Sequence, residues 1–311
     1  MNEKNSSVAL GLGQSEKSVS VVREFYELTK PGISQMVTLT TLTGYYMALP
    51  GNIVEYAANP MHWLHFLATV VGTVAVSSGS CAVNQIVERT ADAAMRRTAQ
   101  RPLVSGTIGL RAAWIFAAVV TILGLALLSV TNVLTIVLAI IAWLSYTVVY
   151  TPLKKHSSIA LLVGGIPGAL PFAGGWTAVT GTLDVTALTL FSILFFWQLP
   201  HFLALSWIYR NDYQKGGFAM HATADSDGAM VGTRMIAYSG ALLATLAIPY
   251  LLHLAGELYL FGAMASGIWL LIESVRFYRS KTTAAARRVL LVAYAVLMAA
   301  LVFMVTDKFG G

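Results

Sequence analysis

Long apolar stretches dominate the chain and are separated by short polar connections. Nine of them are long enough to cross a bilayer as helices, which takes roughly 17–25 residues. They lie at about 33–49, 62–83, 113–130, 132–151, 159–179, 185–207, 235–254, 257–276 and 286–306. The pattern predicts an all-α fold, an integral membrane bundle of nine transmembrane helices. Only VTN separates the third run from the fourth, so these two should form a tight antiparallel hairpin.

The N-terminal segment differs from the rest of the chain. Residues 1–22, rich in Ser and Gly, are predicted to form a disordered tail, although VVREFYEL (21–28) is compatible with a short interfacial helix. Residues 23–311 should form a single domain. The first thirty residues have no uninterrupted apolar run and contain several glutamates, which argues against a secretory signal or a transit peptide.

Composition supports a membrane protein, because 57% of the 311 residues are hydrophobic and only 11% are charged.

With nine spans, all twenty Lys and Arg residues except Lys308 fall on one side of the membrane. The positive-inside rule makes that side cytoplasmic, with a cytoplasmic N-terminus and an external C-terminus. The net charge of +6 therefore requires no nucleic acid partner. A single cysteine, Cys81, rules out an intrachain disulfide.

The end of the second run combines acids and bases. Asn84, Glu88 and Asp92 are spaced by four residues, so on a helix each lies only about 40° from the last. Arg96 continues this stripe and Arg97 and Arg101 flank it, before Pro102 ends the segment. Carboxylate and amide oxygens suit Mg²⁺, and arginines suit phosphate, so the segment is a candidate diphosphate site. The alternative is an ordinary interfacial cluster in which the acids only pair with Arg96.

Four segments stand in order along the chain: LTKPGI (28–33), NQIVERTADAAMRRTAQRPL (84–103), YTPLKK (150–155) with GGIPGALPFAGGW (164–176), and FFWQLPHFLALSWIYRNDYQKGGFAM (195–220). Together they resemble the UbiA superfamily of membrane prenyltransferases, and the segments at 84–103 and 195–220 are similar to its haem O synthase branch. The departures from the usual pattern are Glu88, where Asp is commoner, Thr90, where a further acid is common, and Gly32, where Arg is usual.

The resemblance implies transfer of a farnesyl group from farnesyl diphosphate to the 2-vinyl group of protohaem IX, giving haem O and diphosphate. It implies a bacterial inner-membrane enzyme among lipids that uses Mg²⁺, with a haem A synthase or cytochrome oxidase assembly proteins as possible downstream partners. Two alternatives stay open: a related prenyltransferase acting on another aromatic acceptor, and a haem-handling membrane protein without catalysis.

The resemblance also assigns roles to residues. Asn84, Glu88, Asp92 and Asp212 are the implied catalytic residues, and Glu88, Asp92 and Asp212 would hold Mg²⁺. Basic residues would bind diphosphate or haem propionates, although Lys154 and Lys155 could equally be simple topology anchors. Those basic residues are Arg96, Arg97, Arg101, Lys154, Lys155 and Lys215.

The end of the sixth run is the candidate acceptor site. Trp197, His201 and Pro200 lie together there, and a proline within a helix is tolerated where the freed backbone faces protein or a cavity. An imidazole beside aromatic rings could contact a flat, iron-bearing macrocycle. His201 could instead only hydrogen-bond between helices.

Overall fold

The computed structural model describes residues 21–51 and 53–308, and within these ranges the chain is almost entirely helical. We label the nine long helices in chain order. They are α1 (Pro31–Ala48), α2 (Pro60–Ala94), α3 (Leu110–Leu128), α4 (Val133–Leu153), α5 (Ala160–Thr180), α6 (Val185–Ile208), α7 (Ala229–Leu251), α8 (Glu257–Ser280) and α9 (Thr283–Thr306). Short helices connect them at Val21–Leu28, Ile53–Ala57, Pro102–Ser105, Arg210–Lys215 and His221–Ala224.

The nine apolar runs are thus confirmed as nine helices in the described ranges, and eight of these, α2 to α9, are long and apolar enough to cross a membrane. The chain is a multi-pass membrane protein. Helix α1 is not among these eight, and it carries several threonines. Thr38, Thr40 and Thr43 each donate a hydrogen bond to a carbonyl four residues earlier, so their hydroxyls are satisfied within the helix.

The predicted tail lies mostly outside the described residues, which begin at Val21. Val21 and Val22 open the short helix Val21–Leu28, as VVREFYEL suggested. The side chain of Gln85 donates to the carbonyls of Glu27 and Leu28, at 3.0 and 3.1 Å. These bonds satisfy carbonyls that the end of the short helix leaves free, and they fix the helix against α2.

Helix α2 is 35 residues long, or about 52 Å at 1.5 Å per residue. It exceeds the ~30 Å hydrocarbon core of a bilayer, so its last turns extend beyond that core. Asn59 caps its start by accepting from the Met61 backbone N–H. It ends at Ala94, where Met95 turns to an extended conformation. The prediction that Arg96 continues the helical stripe was therefore wrong, since residues 95–101 form a loop.

The expected hairpin joins α3 and α4 through residues 129–132. Asn132 caps α4 by accepting from the Thr135 backbone N–H, and its amide also donates to the carbonyls of Thr177 and Ala178 in α5. Between α2 and α3, a methyl group added at Gly72 or Gly124 would meet the other glycine's backbone. These two glycines let the backbones of α2 and α3 approach closely.

The C-terminal helices form the solid part of the bundle. Leu270, Tyr259 and Phe277 of α8 are completely buried, as are most inward residues of α9. The chain end closes the bundle: Asp307 accepts from the Tyr259 backbone N–H, and Lys308 donates to the carbonyls of Tyr46 and Leu49, at 2.9 and 2.7 Å. A cation on free carbonyls at a helix C-terminus is favourable, so this contact stabilises the junction of α9 with α1.

Candidate active site

A cavity of about 720 Å³ lies between α1, α2, α4, α5 and α6, with Tyr294 contributed by α9. One end holds Glu88, Asp92 and several basic side chains, and we call it the charged end. The walls away from it are mainly aliphatic, aromatic and glycine surfaces. Pro167 and Pro171 lie within α5 and both line the cavity. An apolar cavity with charges at one end suits an amphiphile with an anionic head group.

Glu88 and Asp92 lie next to each other on the last turns of α2 and are 4% and 1% exposed. Carboxylates this deeply buried must be paired, because a lone charge removed from water costs several kcal/mol. Glu88 forms an ion pair with Lys154, and Asp92 Oδ2 lies 2.5 Å from Arg101 Nη1. Neither pairs with Arg96, so the simple i+4 cluster with Arg96 is not what the structure contains.

The loop that follows α2 explains how Arg101 returns to Asp92. Thr98 donates its hydroxyl to the Asp92 carbonyl at 2.9 Å, which closes the turn after the helix end. Pro102 begins the helix Pro102–Ser105 and holds Arg101 in an extended conformation, as expected for a residue before proline. The side chain of Arg101 therefore points back to the acid rather than forward along a helix.

Lys154 reaches Glu88 from the end of α4. Residues Ser145–Tyr150 of this helix form a π-helical segment, a feature often found at functional sites. The segment places Tyr146 and Tyr150 on the cavity wall, and the ammonium of Lys154 lies 4.6 Å from the Tyr150 ring centre. The backbone of Lys154 also accepts from the Ala219 N–H at 2.8 Å, which connects this end of α4 to the segment after α6.

Lys30, which the sequence analysis counted only as a basic residue, belongs to the site. Its ammonium donates to Asn84 Oδ1 and lies 3.4 Å from the Tyr146 hydroxyl. Asn84 in turn donates to Thr151 Oγ1 at 2.9 Å. It therefore connects α2 to the start of α1 and to the end of α4. Lys30 has a left-handed backbone (φ 52°), an uncommon conformation for a lysine that is often found at functional sites. Burial lowers the pKa of Lys30 to about 8. Its position in LTKPGI was the signal that could have identified it.

Of the remaining predicted residues, some lie at the cavity and others on the exposed surface. Asp212, on the short helix Arg210–Lys215, accepts from the Arg97 backbone N–H at 3.3 Å, and the Arg97 guanidinium lies 5.2 Å from the Tyr209 ring centre. Arg97 lines the cavity. Three predicted basic residues are exposed and do not line it: Arg96, Lys155 and Lys215. Among the described residues, no three His, Cys, Asp or Glu side chains form a group that could hold a metal. Asp212 thus lies near the charged end without joining the two acids.

The cavity also reaches His201, 6% exposed, on α6. Its ring centre lies 5.2 Å from that of Trp197 and 4.8 Å from that of Tyr294. Trp197 donates its indole N–H to the Ala293 carbonyl of α9 at 2.5 Å, which fixes the tryptophan in place. The Nδ1 atom of His201 is buried without a hydrogen-bond partner. A buried polar atom facing a cavity without a partner is a candidate ligand contact.

The charged end also fits a divalent cation in its donor chemistry. Asp92 Oδ1 is buried and has no hydrogen-bond partner, so one carboxylate oxygen is free to accept a ligand. Glu88 and Asp92 supply the hard oxygen donors that Mg²⁺ prefers, and Mg²⁺ commonly binds through one or two carboxylates plus substrate phosphates. Two acids therefore suffice for such a shared site.

Buried acids surrounded by basic side chains, at one end of an apolar cavity within a membrane helix bundle, define the class of membrane enzymes that act on lipid diphosphates. The chain belongs to the UbiA prenyltransferase family, whose model matches residues 37–305. It is 37% identical over 260 residues to the protoheme IX farnesyltransferase of Koribacter versatilis, covering 83% of this chain and 82% of the relative. It is also 36% identical over 292 residues to that of Solibacter usitatus, covering 93% and 100%.

Solved structures agree on the fold. A digeranylgeranylglyceryl phosphate synthase superposes with a TM-score of 0.72 at 18% identity, covering 92% of this chain and 98% of its own. A UbiA homolog from Archaeoglobus fulgidus bound to GPP and Mg²⁺ gives a TM-score of 0.65 at 13% identity, covering 90% and 99%. At these identities the likeness concerns the arrangement of helices, and it confirms the expected UbiA-like bundle.

Proposed function

We propose that the protein transfers the farnesyl group of farnesyl diphosphate to the 2-vinyl group of protohaem IX, forming haem O and releasing diphosphate. The observation that carries this proposal is the pair of buried acids, Glu88 and Asp92, at the charged end of the apolar cavity. Membership of the prenyltransferase family and the named relatives support it. The two ends of the cavity match the two parts of a prenyl diphosphate.

Stabilising the departing diphosphate is the first task of the site. Lys30, Arg97, Arg101 and Lys154 all line the charged end. Donors fixed in a site that excludes water stabilise developing negative charge more strongly than donors in solution do. Arg101 and Lys154 now pair with Asp92 and Glu88, and these cations would turn to phosphate oxygens once the acids have another partner.

Magnesium is the partner we assign to those acids. Glu88 and Asp92 would hold it, with Asn84 and Asp212 as further candidate ligands, and bound Mg²⁺ would neutralise charge on the diphosphate. The free Oδ1 of Asp92 supports this assignment. If Arg101 and Lys154 turned to the phosphates and no metal ion replaced them, the two carboxylates would repel the diphosphate.

The transfer itself breaks the bond between C1 of the farnesyl group and the diphosphate oxygen, leaving an allylic cation and diphosphate. The vinyl group of protohaem IX attacks C1 through its terminal carbon, forming a carbon–carbon bond. Water adds to the resulting cation at the inner vinyl carbon and releases a proton, giving the hydroxyl of the new side arm. The rings of Tyr146 and Tyr150 line the cavity beside the charged end, where aromatic faces can stabilise the cation.

His201 is our candidate contact for the acceptor. It lies beside Trp197 and Tyr294 on the cavity wall, and its Nδ1 has no hydrogen-bond partner. An imidazole nitrogen can bind haem iron or donate to a propionate.

We further propose that the charged end faces the cytoplasm of a bacterial inner membrane. The support is the distribution of Lys and Arg, which places all but Lys308 on one side. A reporter fused near Gly216 should then behave as cytoplasmic and one fused after Gly311 as external. Fusions that report the same compartment at both points would contradict this orientation.

The deciding experiment is direct. Purified protein in lipid nanodiscs receives isotope-labelled farnesyl diphosphate, protohaem IX and Mg²⁺, and the extracted haem is analysed by mass spectrometry. A haem carrying the labelled farnesyl group and one added water supports the proposal. Prenylation of an aromatic acceptor but not of haem would favour the related acceptor class, and haem binding without any transfer would indicate a haem-handling protein.

A further inference from the structure

The cavity extends far beyond the charged end. Along α2 it is lined from Asp92 to Thr73, and along α4 from Lys154 to Thr135. Each pair is about 28 Å apart along its helix, at 1.5 Å per residue. The two helices thus agree that the cavity runs through most of the apolar thickness of the bundle. We call the part around Thr40, Thr73, Thr135 and Gly174 the far end.

Gly174 is the unusual residue of the far end. A side-chain carbon added at Gly174 would meet no other heavy atom within 4 Å, although the residue is buried. Other glycines of α5 are explained by their neighbours, since a side chain would collide with the Tyr150 ring at Gly164, with Gln198 at Gly168 and with the α1 backbone at Gly175. Close packing therefore does not account for Gly174.

A buried helical glycine without a packing role has a cost. Glycine in a helix interior is less stable than alanine, and alanine would fit at this position without a clash. The space beside Gly174 is part of the cavity that it lines. The absence of a side chain leaves that space to a ligand.

We propose that Gly174 sets the length of the isoprenoid chain that the cavity accepts, by leaving room at the far end for the terminal isoprene unit. The inference rests on the proposed prenyl diphosphate donor. The diphosphate is held at the charged end, so the chain length decides how far the tail reaches along the cavity. Two hydroxyls of the far end are already satisfied within their own helix or at its cap: Thr40 donates its hydroxyl to the Met36 carbonyl and Thr135 donates its hydroxyl to Asn132.

The test replaces Gly174 with Ala, Val and Leu and measures kcat/KM for farnesyl and for geranyl diphosphate. We expect the ratio of farnesyl to geranyl to fall with side-chain volume, by about 10-fold or more for Gly174→Val, since one misplaced methylene group commonly changes discrimination by 10–200-fold. Gly240→Leu is the matched control, because that position on α7 is also open to an added carbon but does not line the cavity. Its ratio should equal that of the wild type.

An unchanged ratio in the Val and Leu variants, or an equal loss with both donors in the conservative Ala variant, would overturn the inference. Binding of both diphosphates, measured by competition in the absence of haem, keeps the two proposals separate. If the wild type binds prenyl diphosphates but never transfers them to haem, the proposed function fails. The chain-length inference still stands or falls on whether Gly174→Leu weakens binding of farnesyl diphosphate more than that of geranyl diphosphate.

Discussion

Two regions of this bundle use similar apolar sequences to opposite effect. The α7–α9 region packs without lining the cavity except through Tyr294, and its inward side chains, such as Leu270, Phe277 and Met235, are completely buried. Helices α1, α2, α4, α5 and α6 instead surround the 720 Å³ cavity and bury polar and charged groups along it. Apolar composition places both regions in the membrane, but the function depends on where helix packing leaves space and which polar groups border that space.

Both regions contain a deeply buried acid paired with one arginine, which makes the comparison testable. Asp92 pairs with Arg101 at the charged end, and Glu273 of α8 pairs with Arg276 at 2.5 Å, away from the cavity lining. Each also has one carboxylate oxygen without a hydrogen-bond partner. Arg276 is more exposed than Arg101, at 60% against 21% of the side chain, and only Asp92 and Arg101 line the cavity.

The largest effect is expected from Asp92→Asn. Turnover of farnesyl diphosphate with haem should fall about 100-fold or more, because the change removes a negative charge that we assign to binding Mg²⁺ beside the diphosphate. Glu88→Gln should act in the same direction, and raised Mg²⁺ should partly restore its activity by mass action. Steady-state rates at several Mg²⁺ concentrations measure both effects.

Glu273→Gln is the matched control for these variants. It neutralises an equally buried acid in the packed region, so turnover should remain within about 2-fold of wild type once the amount of folded protein is matched, since it removes no interaction with the transition state. Equal loss of turnover in Asp92→Asn and Glu273→Gln would mean that buried acids matter here only for the fold.

A second comparison uses the same substitution in each region. Leu270→Ala opens a void in solid packing and should cost about 2–5 kcal/mol of stability. Leu138→Ala enlarges a cavity that already exists, so its loss should be clearly smaller. Thermal unfolding of both variants in one detergent measures the difference. Equal losses would show that the cavity walls are packed as tightly as the α7–α9 region.

The fold could be predicted from the sequence because membrane helices are local features. A run of about 20 apolar residues can be recognised from the local sequence alone. All nine helices lie within a few residues of their expected positions, except at one end of α2 and one end of α7. Helix α2 continues to Ala94 and α7 begins at Ala229, where polar residues hide the helix from an apolar pattern.

The site was predictable only in part, because its ion pairs join residues far apart in the sequence. The acids were identified correctly as neighbours, but the partners of Glu88 and Asp92 are Lys154 and Arg101 rather than Arg96. The loop at Met95 is stabilised by packing against Phe218, a contact that no local pattern encodes. Lys30 was missed for the same reason, since Asn84 and Tyr146 meet it only in the folded bundle.

The third prediction separates the proposed haem contact from the charged end. His201→Ala should weaken haem binding about 10-fold and change the haem absorption spectrum, while farnesyl diphosphate affinity stays nearly unchanged because the diphosphate is held elsewhere. Spectral titration with haem and competition binding with the diphosphate measure the two affinities. Wild-type haem affinity and spectrum in the variant would return His201 to a packing role and move the acceptor site toward Tyr146 and Lys154.

The smallest expected effect concerns His221, between α6 and α7, where the two regions join. Its imidazole is contacted by the Arg234 guanidinium, with Nη1 2.7 Å from Nε2. Burial and then this neighbouring positive charge lower the pKa of His221 from 6.5 to about 4. The unfolded chain therefore binds a proton more readily than the folded protein between these pH values, so this contribution to stability is complete above about pH 6.5 and decreases as the pH falls toward 4.

His221→Gln, which keeps a polar side chain without the titration, should flatten the decrease in melting temperature over this pH range. A variant whose melting temperature falls as steeply as that of the wild type would show that other groups govern the acid sensitivity of this junction.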